Sequence, residues 1–482
     1  MKSVSESYVV LLLCLMLSGC SSLFSGNREV PISEEQKNRL RTLGREASVI
    51  EPRVNTGKAG IYTLVVAFDG TNNDLFNTPD SENATVVGRL YQDVLDEVRK
   101  GREKASIPVD ALWPQYYPGP GCPSWIACPF DSAVGWSTWF TAHRAVSDVE
   151  ARVAGMDGGV REIRVVVIGF SRGAATSRYF LNLLARKPLR NVRGENLTLR
   201  AYALLFDTVA TGLASNLDLS LPSNLEFAYH FVAQNETRRF FGLVVDVDEG
   251  YESNPLAELY YFPQRIVTVE VPGAHSDLGD SYKKGAGMAV TQFARKTMAA
   301  MGLRPPLGNY DCDLPGNSEQ PGCRLLDEGL HDSRGLIDLW MGVPSPYGCS
   351  SHREVSVRPS QISLNEAMAL TERRYKGIED ITGISGSWLQ FNFLENYRFS
   401  SLGGPNPVLH PRPSTIGFNA VVVPIGDRLK VVLRGLNNDQ VYTVPERVLQ
   451  QVRGTPGLSE LELNLIKGQP HWIVNGCMPE ED

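Results

Sequence analysis

The chain has 482 residues, a net charge of −7 and a hydrophobic content of 42%. This composition is that of an ordinary globular protein, and its mildly acidic balance argues against a nucleic-acid partner. The length suits one large α/β domain with an additional module.

The first 20 residues predict an export signal. Lys2 supplies a positive charge, and residues 8–17 form an apolar core that is too short to span a bilayer comfortably. The following Leu17-Ser18-Gly19-Cys20 resembles a bacterial lipobox, in which the cysteine becomes the lipidated N-terminus. Cys20 is therefore the predicted lipidation site and membrane anchor. An ordinary signal peptide with an incidental cysteine is the alternative.

Residues 21–58 follow the signal and are mostly polar and charged. Ser21, and not an aspartate, comes directly after the cysteine. By analogy with other bacterial lipoproteins, this favours a location in the cell envelope, at the outer membrane and facing the periplasm. The composition of the segment predicts a tether that leads into a short helix.

Alternating strands and helices follow the tether. Apolar runs that end in turn residues predict strands, and amphipathic stretches predict helices. The predicted strands span residues 60–68, 112–117, 163–168, 199–206 and 265–271, and helices are predicted at residues 85–100, at 141–154 and after residue 171. This alternation predicts an α/β fold, an α/β-hydrolase-like and mostly parallel sheet flanked by helices. In such sheets the active site lies beyond the carboxyl ends of the strands.

A G-x-S-x-G motif joins the third predicted strand to its helix. Ser171 stands between Gly169 and Gly173, and a helix-like run begins directly after the serine. In such a nucleophile elbow the serine occupies a sharp, strained turn, where side chains at the two glycines would collide with it. The turn exposes the hydroxyl and leaves the N–H of Arg172 at the start of the helix, where it can face an oxyanion. A glycine-rich loop that only turns the chain is the alternative.

Two further residues complete a candidate triad with Ser171. Asp207 and His275 each follow a predicted strand, and the chain order Ser, Asp, His is that of α/β-hydrolases. A serine hydroxyl needs a base to remove its proton, histidine can act as that base near pH 7, and a buried carboxylate fixes its tautomer. The alternatives are that Asp207 only caps a turn and that His275 is an ordinary loop histidine.

The remaining site residues come from loops. Gly70 and Thr71 follow an early strand, and one of their backbone N–H groups is expected to be the second oxyanion donor. Asp69 is the rival acid, although it precedes the serine in the chain. The rival bases are His331 and His352, which follow no clear strand; His331 ranks first of these two.

Five segments together resemble one known family. AFDGTNND (67–74), YYPGPG (116–121), GFSRGAATSR (169–178), FDTVATG (206–212) and VPGAHSDLGDSY (271–282) are similar to the catalytic domain of type VI secretion phospholipase effectors. The resemblance covers roughly residues 60–355. It implies Ser171 as nucleophile, Asp207 as acid and His275 as base. It also implies hydrolysis of phospholipid acyl esters, of the A1 or A2 type. No cofactor and no metal site are predicted, and the sequence leaves any need for calcium open.

Two departures from the family pattern stand out. The family motif continues H-S-D-x-G-G-G-Y, whereas this chain has Asp280 and Ser281 in place of two glycines. Asp277 and Asp280 could together hold a cation, but two carboxylates in a loop are more often only solvated. The second departure is the lipobox, which favours a resident envelope lipoprotein over a delivered toxin.

Six cysteines follow the signal. An even number in an exported protein suggests disulfides, whose connectivity the sequence leaves open. Neighbouring cysteines could close small rings and the last two could pair, while a zinc site is disfavoured because no C-x-x-C pair is present. The cysteines are Cys122, Cys128, Cys312, Cys323, Cys349 and Cys477.

The chain contains two further features. Short alternating strands from about Ser387 predict a small β-rich module, which is either a platform for a substrate or partner or an extra layer on the body. Aromatic residues are concentrated in the loops before residue 141, where they form either a lipid-contacting rim or part of the core. They are Trp113, Trp125, Trp136, Trp139 and Phe140.

The predicted organisation is a lipoprotein signal at residues 1–20, a tether at 21–58, a catalytic domain at 59–360 and a β-rich module at 385–482. Three functions follow from these observations. The first is a serine esterase that acts on membrane phospholipid or another lipid ester. The second is an esterase for a different acyl ester, such as an acetylated glycan. The third is a catalytically silent envelope lipoprotein that serves as a binding module.

Overall fold

The computed structural model describes the greater part of the chain before residue 362 and short strands beyond it. The described residues are 25–43, 53–80, 82–121, 136–238, 241–249, 265–282, 286–305, 329–340, 342–343, 355–361, 366 and 369–370, and the C-terminal strands named below. The predicted signal, Cys20, Trp125 and all the cysteines lie outside these residues. In the described part of the chain, no helix is long and apolar enough to cross a membrane.

Strands and helices alternate up to residue 206, and further strands and helices follow up to residue 361. The strands are β1 (Ser25–Val30), β2 (Ile61–Phe68), β3 (Leu112–Tyr117), β4 (Glu162–Phe170), β5 (Thr198–Phe206), β6 (Leu225–Ala233), β7 (Leu243–Glu249), β8 (Ile266–Val271), β9 (Leu330–Arg334) and β10 (Val355–Gln361). The helices are α1 (Glu34–Thr42), α2 (Val86–Lys100), α3 (Trp136–Ala154), α4 (Arg172–Ala185), α5 (His275–Leu278), α6 (Gly287–Ala300) and α7 (Leu336–Trp340).

The central sheet has six strands in the order β3-β2-β4-β5-β6-β8. All five neighbouring pairs are parallel, so the carboxyl ends of the strands meet at one edge, which we call the carboxyl edge. The chain passes from β2 outward to β3 and then returns to the other side of β2 as β4, a reversal of the kind beside which α/β proteins place their sites. The predicted fold class is confirmed.

Alternate residues of the central strands face two separate cores. Val166 and Ile168 of β4 pack on the side of α2 and α6. Val165 and Val167 pack on the side of α3 and α4. A strand that is buried on both faces reads as a continuous apolar run, which explains why β4 is so evident in the sequence.

The predicted helix at residues 141–154 begins earlier, at Trp136. Trp136, Trp139 and Phe140 therefore lie in the first turns of α3, and the interpretation of these residues as loop was wrong. β6 and α6 were not predicted. Glu226 and His230 interrupt the apolar pattern of β6, although both side chains are buried in the structure.

Part of the predicted tether, residues 21–58, is folded in the structure. β1 pairs antiparallel with β9, so that Glu29 lies opposite His331. α1 begins after Ser33, whose hydroxyl accepts the N–H of Gln36 in a capping box. The segment is therefore attached to the body of the protein at residues 25–30.

The described strands of the C-terminal region are β11 (Tyr397–Phe399), β12 (Leu409–Pro411), β13 (Asn419–Ile425), β14 (Arg428–Arg434), β15 (Val441–Thr443) and β16 (Leu461–Leu465). The last four form a sheet in the order β13-β14-β16-β15. β13 and β14 are antiparallel and pair Ile425 with Arg428, which leaves two residues between the strands, the length of the commonest hairpin connection.

Candidate active site

Ser171 lies at the carboxyl edge, between the end of β4 and the start of α4. Its backbone has φ 58° and ψ −127°, a strained conformation for a residue with a side chain. A Cβ at Gly169 would lie 2.4 Å from the hydroxyl of Ser177, and one at Gly173 would lie 2.2 Å from the carbonyl oxygen of Asp69. Both positions therefore require glycine for the elbow to pack against α4 and the end of β2.

Asp207 follows the neighbouring strand, β5. The backbone of the elbow is tied to this strand, because the N–H of Ser171 donates to the carbonyl of Phe206 at 2.9 Å. The Asp207 side chain is fully buried. Its Oδ1 accepts the N–H of Ala233 at 2.8 Å, and its Oδ2 lies 2.5 Å from Nδ1 of His275. One oxygen therefore orients the carboxylate and the other is bonded to the histidine.

His275 is the first residue of α5, the single helical turn that follows β8. Its ring stacks on Phe170 with centroids 4.6 Å apart, and the edge of Phe241 approaches it at 4.9 Å. Burial lowers the pKa of His275, while the hydrogen bond and the charge of Asp207 act in the opposite direction. The imidazole is therefore held mainly in its neutral form, which is the form that can accept a proton.

The predicted residues Ser171, Asp207 and His275 are thus gathered at one edge of the sheet. Among the described residues, no hydrogen bond joins the Ser171 hydroxyl to the His275 ring. Such bonds are often long in the absence of substrate and shorten in the reacting complex. Phe170, which immediately precedes the serine, already contacts the imidazole, so the hydroxyl and the ring are attached to adjoining parts of the site.

The loop after β2 packs against the elbow. A Cβ at Gly70 would meet the Phe170 ring at 2.5 Å. The N–H of Gly70 donates to the carboxylate of Asp69 at 2.8 Å. In the described part of the chain, neither the N–H nor the buried hydroxyl of Thr71 has a hydrogen-bond partner. Of the two predicted loop donors, Thr71 is therefore the one whose N–H has no partner among the described residues.

Asp69, the rival acid, has a different set of partners. Its carboxylate accepts hydrogen bonds from the hydroxyls of Thr85 and Tyr116, both at 2.7 Å, in addition to the N–H of Gly70. Burial raises the pKa of Asp69 to about 6. The residue therefore braces the loop that carries Thr71, and its carboxylate is occupied by these donors.

His331, the rival base, lies within β9, a strand that the sequence did not predict. Its Nδ1 lies 2.7 Å from Oδ1 of Asp277, and its ring stacks on Tyr282 with centroids 3.9 Å apart. The structure thus contains a second buried aspartate–histidine pair beside the first. The ring that contacts the residue preceding Ser171 is that of His275.

Asp280 replaces a glycine of the family motif and keeps the backbone that a glycine would favour, with φ 53°. Its carboxylate pairs with Arg89 at 2.8 Å and accepts the Thr291 hydroxyl at 2.6 Å. Burial raises its pKa to about 6. Asp277 and Asp280 are both engaged by protein groups. Among the described residues, no cluster of three or more histidine, cysteine or carboxylate side chains is placed to hold a metal.

Sequence reasoning missed a buried ion pair beside His275. Glu236 accepts the N–H of His275 at 3.1 Å and two side-chain hydrogen bonds from Arg238, at 2.9 and 2.8 Å. The Arg238 guanidinium lies 3.5 Å from the centre of the Phe241 ring, which itself borders the imidazole. The spacing Glu-x-Arg carries no motif, so only the tertiary structure identifies this support.

A second buried ion pair lies beside the strand end that carries Asp207. Arg178 of α4 donates two hydrogen bonds to Asp246 of β7, both at 2.6 Å, and both side chains are fully buried. Arg178 also donates to the hydroxyl of Thr208, the residue after Asp207, at 3.2 Å. The serine-bearing helix and the strand end that carries the acid are therefore joined through one guanidinium.

The exposed aromatic residues of α3 lie at the carboxyl edge. α3 leads through a short loop to the amino end of β4, and 19 helical residues run about as far as the nine of that strand. Its first turns are therefore level with Ser171. Trp136, Trp139 and Phe140 are 55%, 43% and 50% exposed there. The rim interpretation fits these three residues, whereas Trp113 lies in β3 and packs against the core.

Comparisons with known proteins give limited likenesses. No protein family and no curated protein matches the chain. An uncharacterized protein from Pseudomonas aeruginosa aligns with 17% identity and a TM-score of 0.38, over 63% of this chain and 56% of that one. A Tle1 effector bound to the VgrG spike of a type 6 secretion system aligns with 20% identity and a TM-score of 0.31, over 47% and 52%.

An acetyl xylan esterase aligns with 12% identity and a TM-score of 0.22, over 50% of this chain and 97% of that one. The chain thus spans little more than half the length of the first two proteins. Likenesses of this extent carry no argument for an activity, which depends on the geometry of the site.

Proposed function

We propose that the protein is a serine hydrolase of carboxylic esters, with Ser171 as nucleophile, His275 as base and Asp207 as acid. The observation that carries this proposal is the 2.5 Å contact between the buried Asp207 carboxylate and Nδ1 of His275, beside the strained serine of the elbow. A serine held at an elbow and a neutral, oriented imidazole at the carboxyl edge are the parts that acyl transfer needs.

In the proposed reaction, the Ser171 hydroxyl attacks the ester carbonyl and its proton moves to Nε2 of His275. The N–H groups of Thr71 and Arg172 face the oxygen that becomes negative. The imidazolium then donates the proton to the departing alcohol, which leaves an acyl group on the serine. A water molecule, deprotonated by the same nitrogen, releases the acid and restores the hydroxyl. Asp207 keeps the proton on Nδ1 and stabilises the imidazolium.

Phospholipid acyl chains are the proposed substrate. Three large aromatic side chains are exposed at the edge that carries Ser171, and exposed patches of this kind are typical of surfaces that contact lipid. The motif resemblance points to the same substrate class. A lipid anchor at Cys20 would hold this edge within reach of a membrane.

The test compares the full chain with Ser171→Ala in detergent micelles and then in phospholipid vesicles, with Ser215→Ala as a control for an exposed serine. We expect fluorophosphonate labelling and release of acyl chains by the parent and the control. The rate of acyl-chain release by Ser171→Ala should be lower than that of the parent by at least about 10³-fold. Turnover of a short-chain ester without vesicle cleavage would contradict the phospholipid assignment. If the parent showed no labelling and no turnover of either substrate, the hydrolase proposal would be contradicted.

The pH dependence of the reaction follows from the state of His275. Since burial lowers the pKa of this base below its ordinary value of 6.5, the neutral form persists as the pH falls to that value. We therefore expect kcat/KM for a short-chain ester to be nearly flat from pH 8 to about pH 6.5 and to fall at lower pH. Initial rates across this range would measure the inflection. An inflection above the ordinary histidine value would contradict the expectation.

A further inference from the structure

The helix that carries His275 cannot hold its own position. α5 has only four residues, which is a single turn, and isolated turns of this length are unstable. The residue before it is Ala274, whose side chain has no oxygen with which to cap the first N–H groups. Asp277, the third residue of the turn, ties it to the residue before it, because its Oδ2 accepts the N–H of Ala274 at 2.9 Å. The orientation of the imidazole therefore depends on what holds Asp277, in addition to Glu236, which accepts the N–H of His275.

Asp277 is held by one residue of another element. Its Oδ2 also accepts the backbone N–H of His331 at 3.0 Å, and its Oδ1 lies 2.7 Å from the Nδ1 of the same residue. The side chains of Asp277 and His331 are 1% and 5% exposed. These bonds are therefore shielded from water. Hydrogen bonds between charged or polar partners are stronger in such an interior than in water.

His331 is itself fixed from two sides. Its ring lies on Tyr282, and the Tyr282 hydroxyl is bonded to Ser333 at 3.0 Å. Its backbone lies in β9, which pairs with β1 and places Glu29 opposite His331. The next residue of β9, Asp332, forms ion pairs with Arg28 of β1 and with Arg334. His331 thus links the turn that carries the base to a two-stranded sheet outside the central one.

We propose that Asp277 and His331 are positioning residues, which hold α5 so that His275 meets both Asp207 and Ser171. This inference rests on the proposed function and adds the second aspartate–histidine pair to it as a support for the first. The pair touches no reacting atom in this assignment. Its loss lets the single turn shift, and a displacement of about 1 Å in a catalytic group can lower a rate about 10²-fold.

The experiment uses the full chain and three variants. His331→Ala removes the side-chain donor to Asp277 and leaves the backbone N–H, whereas His331→Asn keeps a side-chain N–H group close to the place of Nδ1. His143→Ala is the control, because His143 contacts Trp139 and Tyr179 on the other side of the sheet. We expect kcat for a short-chain ester to fall about 10²-fold in His331→Ala, with KM changed less than twofold. The kcat of His331→Asn should be at least tenfold higher than that of His331→Ala.

Hydrogen exchange measured by mass spectrometry provides a second readout that does not depend on activity. In His331→Ala, the amides of residues 274–279 should exchange faster than in the parent, while those of β4 and β5 should be unchanged. A kcat within threefold of the parent, or an asparagine variant no better than the alanine variant, would overturn the proposal. If His331→Ala fails to fold, Asp277→Asn replaces it with the same expectations.

Failure of the proposed function has a different signature. In that case the parent itself neither turns over the ester nor reacts with a fluorophosphonate. The exchange of residues 274–279 then decides the positioning claim alone. Unchanged exchange in the His331→Ala variant would overturn it.

Discussion

Replacing Asp207 with asparagine should lower kcat about 10⁴-fold while leaving the fold intact. The reason lies in the two contacts of the carboxylate. The amide oxygen of the substituted side chain can still accept the N–H of Ala233, as Oδ1 now does at 2.8 Å. The amide nitrogen then faces Nδ1 of His275, where Oδ2 now lies at 2.5 Å. Because that nitrogen donates, the imidazole must place its proton on Nε2, and it can no longer accept one from Ser171.

The measurement is kcat for a short-chain ester, with thermal unfolding to check the fold. Asp218→Asn is a matched control, since Asp218 is an exposed aspartate whose partner is Arg186 at 3.1 Å; we expect its kcat to stay within twofold of the parent. Retention of more than a tenth of the activity by Asp207→Asn would contradict the assigned role of this carboxylate.

Replacing Arg178 with methionine should lower the free energy of unfolding by about 3–5 kcal/mol. The guanidinium and its partner Asp246 are both fully buried, so the substitution leaves a carboxylate in the interior without its cation. The hydrogen bonds from Arg178 to the carbonyl of Leu219 and the hydroxyl of Thr208, both at 3.2 Å, are lost as well. We also expect a lower kcat, because Thr208 adjoins Asp207.

Urea unfolding would measure this change, and two further variants make the result specific. Arg178→Met with Asp246→Leu removes both charges and should recover most of the lost stability, since an apolar replacement of a buried pair is often nearly neutral. Arg186 lies at the end of the same helix, and Arg186→Met breaks an exposed ion pair. For this variant we expect the free energy of unfolding to fall by less than about 1 kcal/mol. If Arg178→Met and Arg186→Met lost the same free energy of unfolding, the stabilising role of the buried pair would be contradicted.

The central sheet and the elbow could be predicted because their signals are local. β4 is a continuous apolar run that ends in a glycine-flanked serine, and Asp207 directly follows another such run. The positions of Asp207 and His275 at the ends of predicted strands then identified them as candidates, and the structure brings these two residues together with Ser171. Bounds were close for the same reason: the predicted strand at 112–117 is the observed β3.

The supporting residues could not be predicted because their partners are distant in sequence. β9 reads Leu-His-Asp-Ser-Arg, which has no apolar alternation, and it becomes a strand only by pairing with residues about 300 positions earlier. The buried Glu226 and His230 hid β6 in the same way. The engagement of the Gly70 N–H depends on the rotamer of Asp69, which no sequence pattern specifies.

The pairing of β1 with β9 also fixes an order of assembly. Arg28 and Asp332, which form an ion pair across the two strands, are separated by 304 positions. At about 5–20 residues per second, a ribosome needs on the order of 15–60 s to synthesise that stretch. Long-range pairing of this kind forms late in folding. If Ser171 is the nucleophile and His331 positions its base as proposed, the serine of a nascent chain lacks a completed partner while about 160 further residues are synthesised. On the proposed function, the acyl esters around an unfinished molecule would thereby be spared.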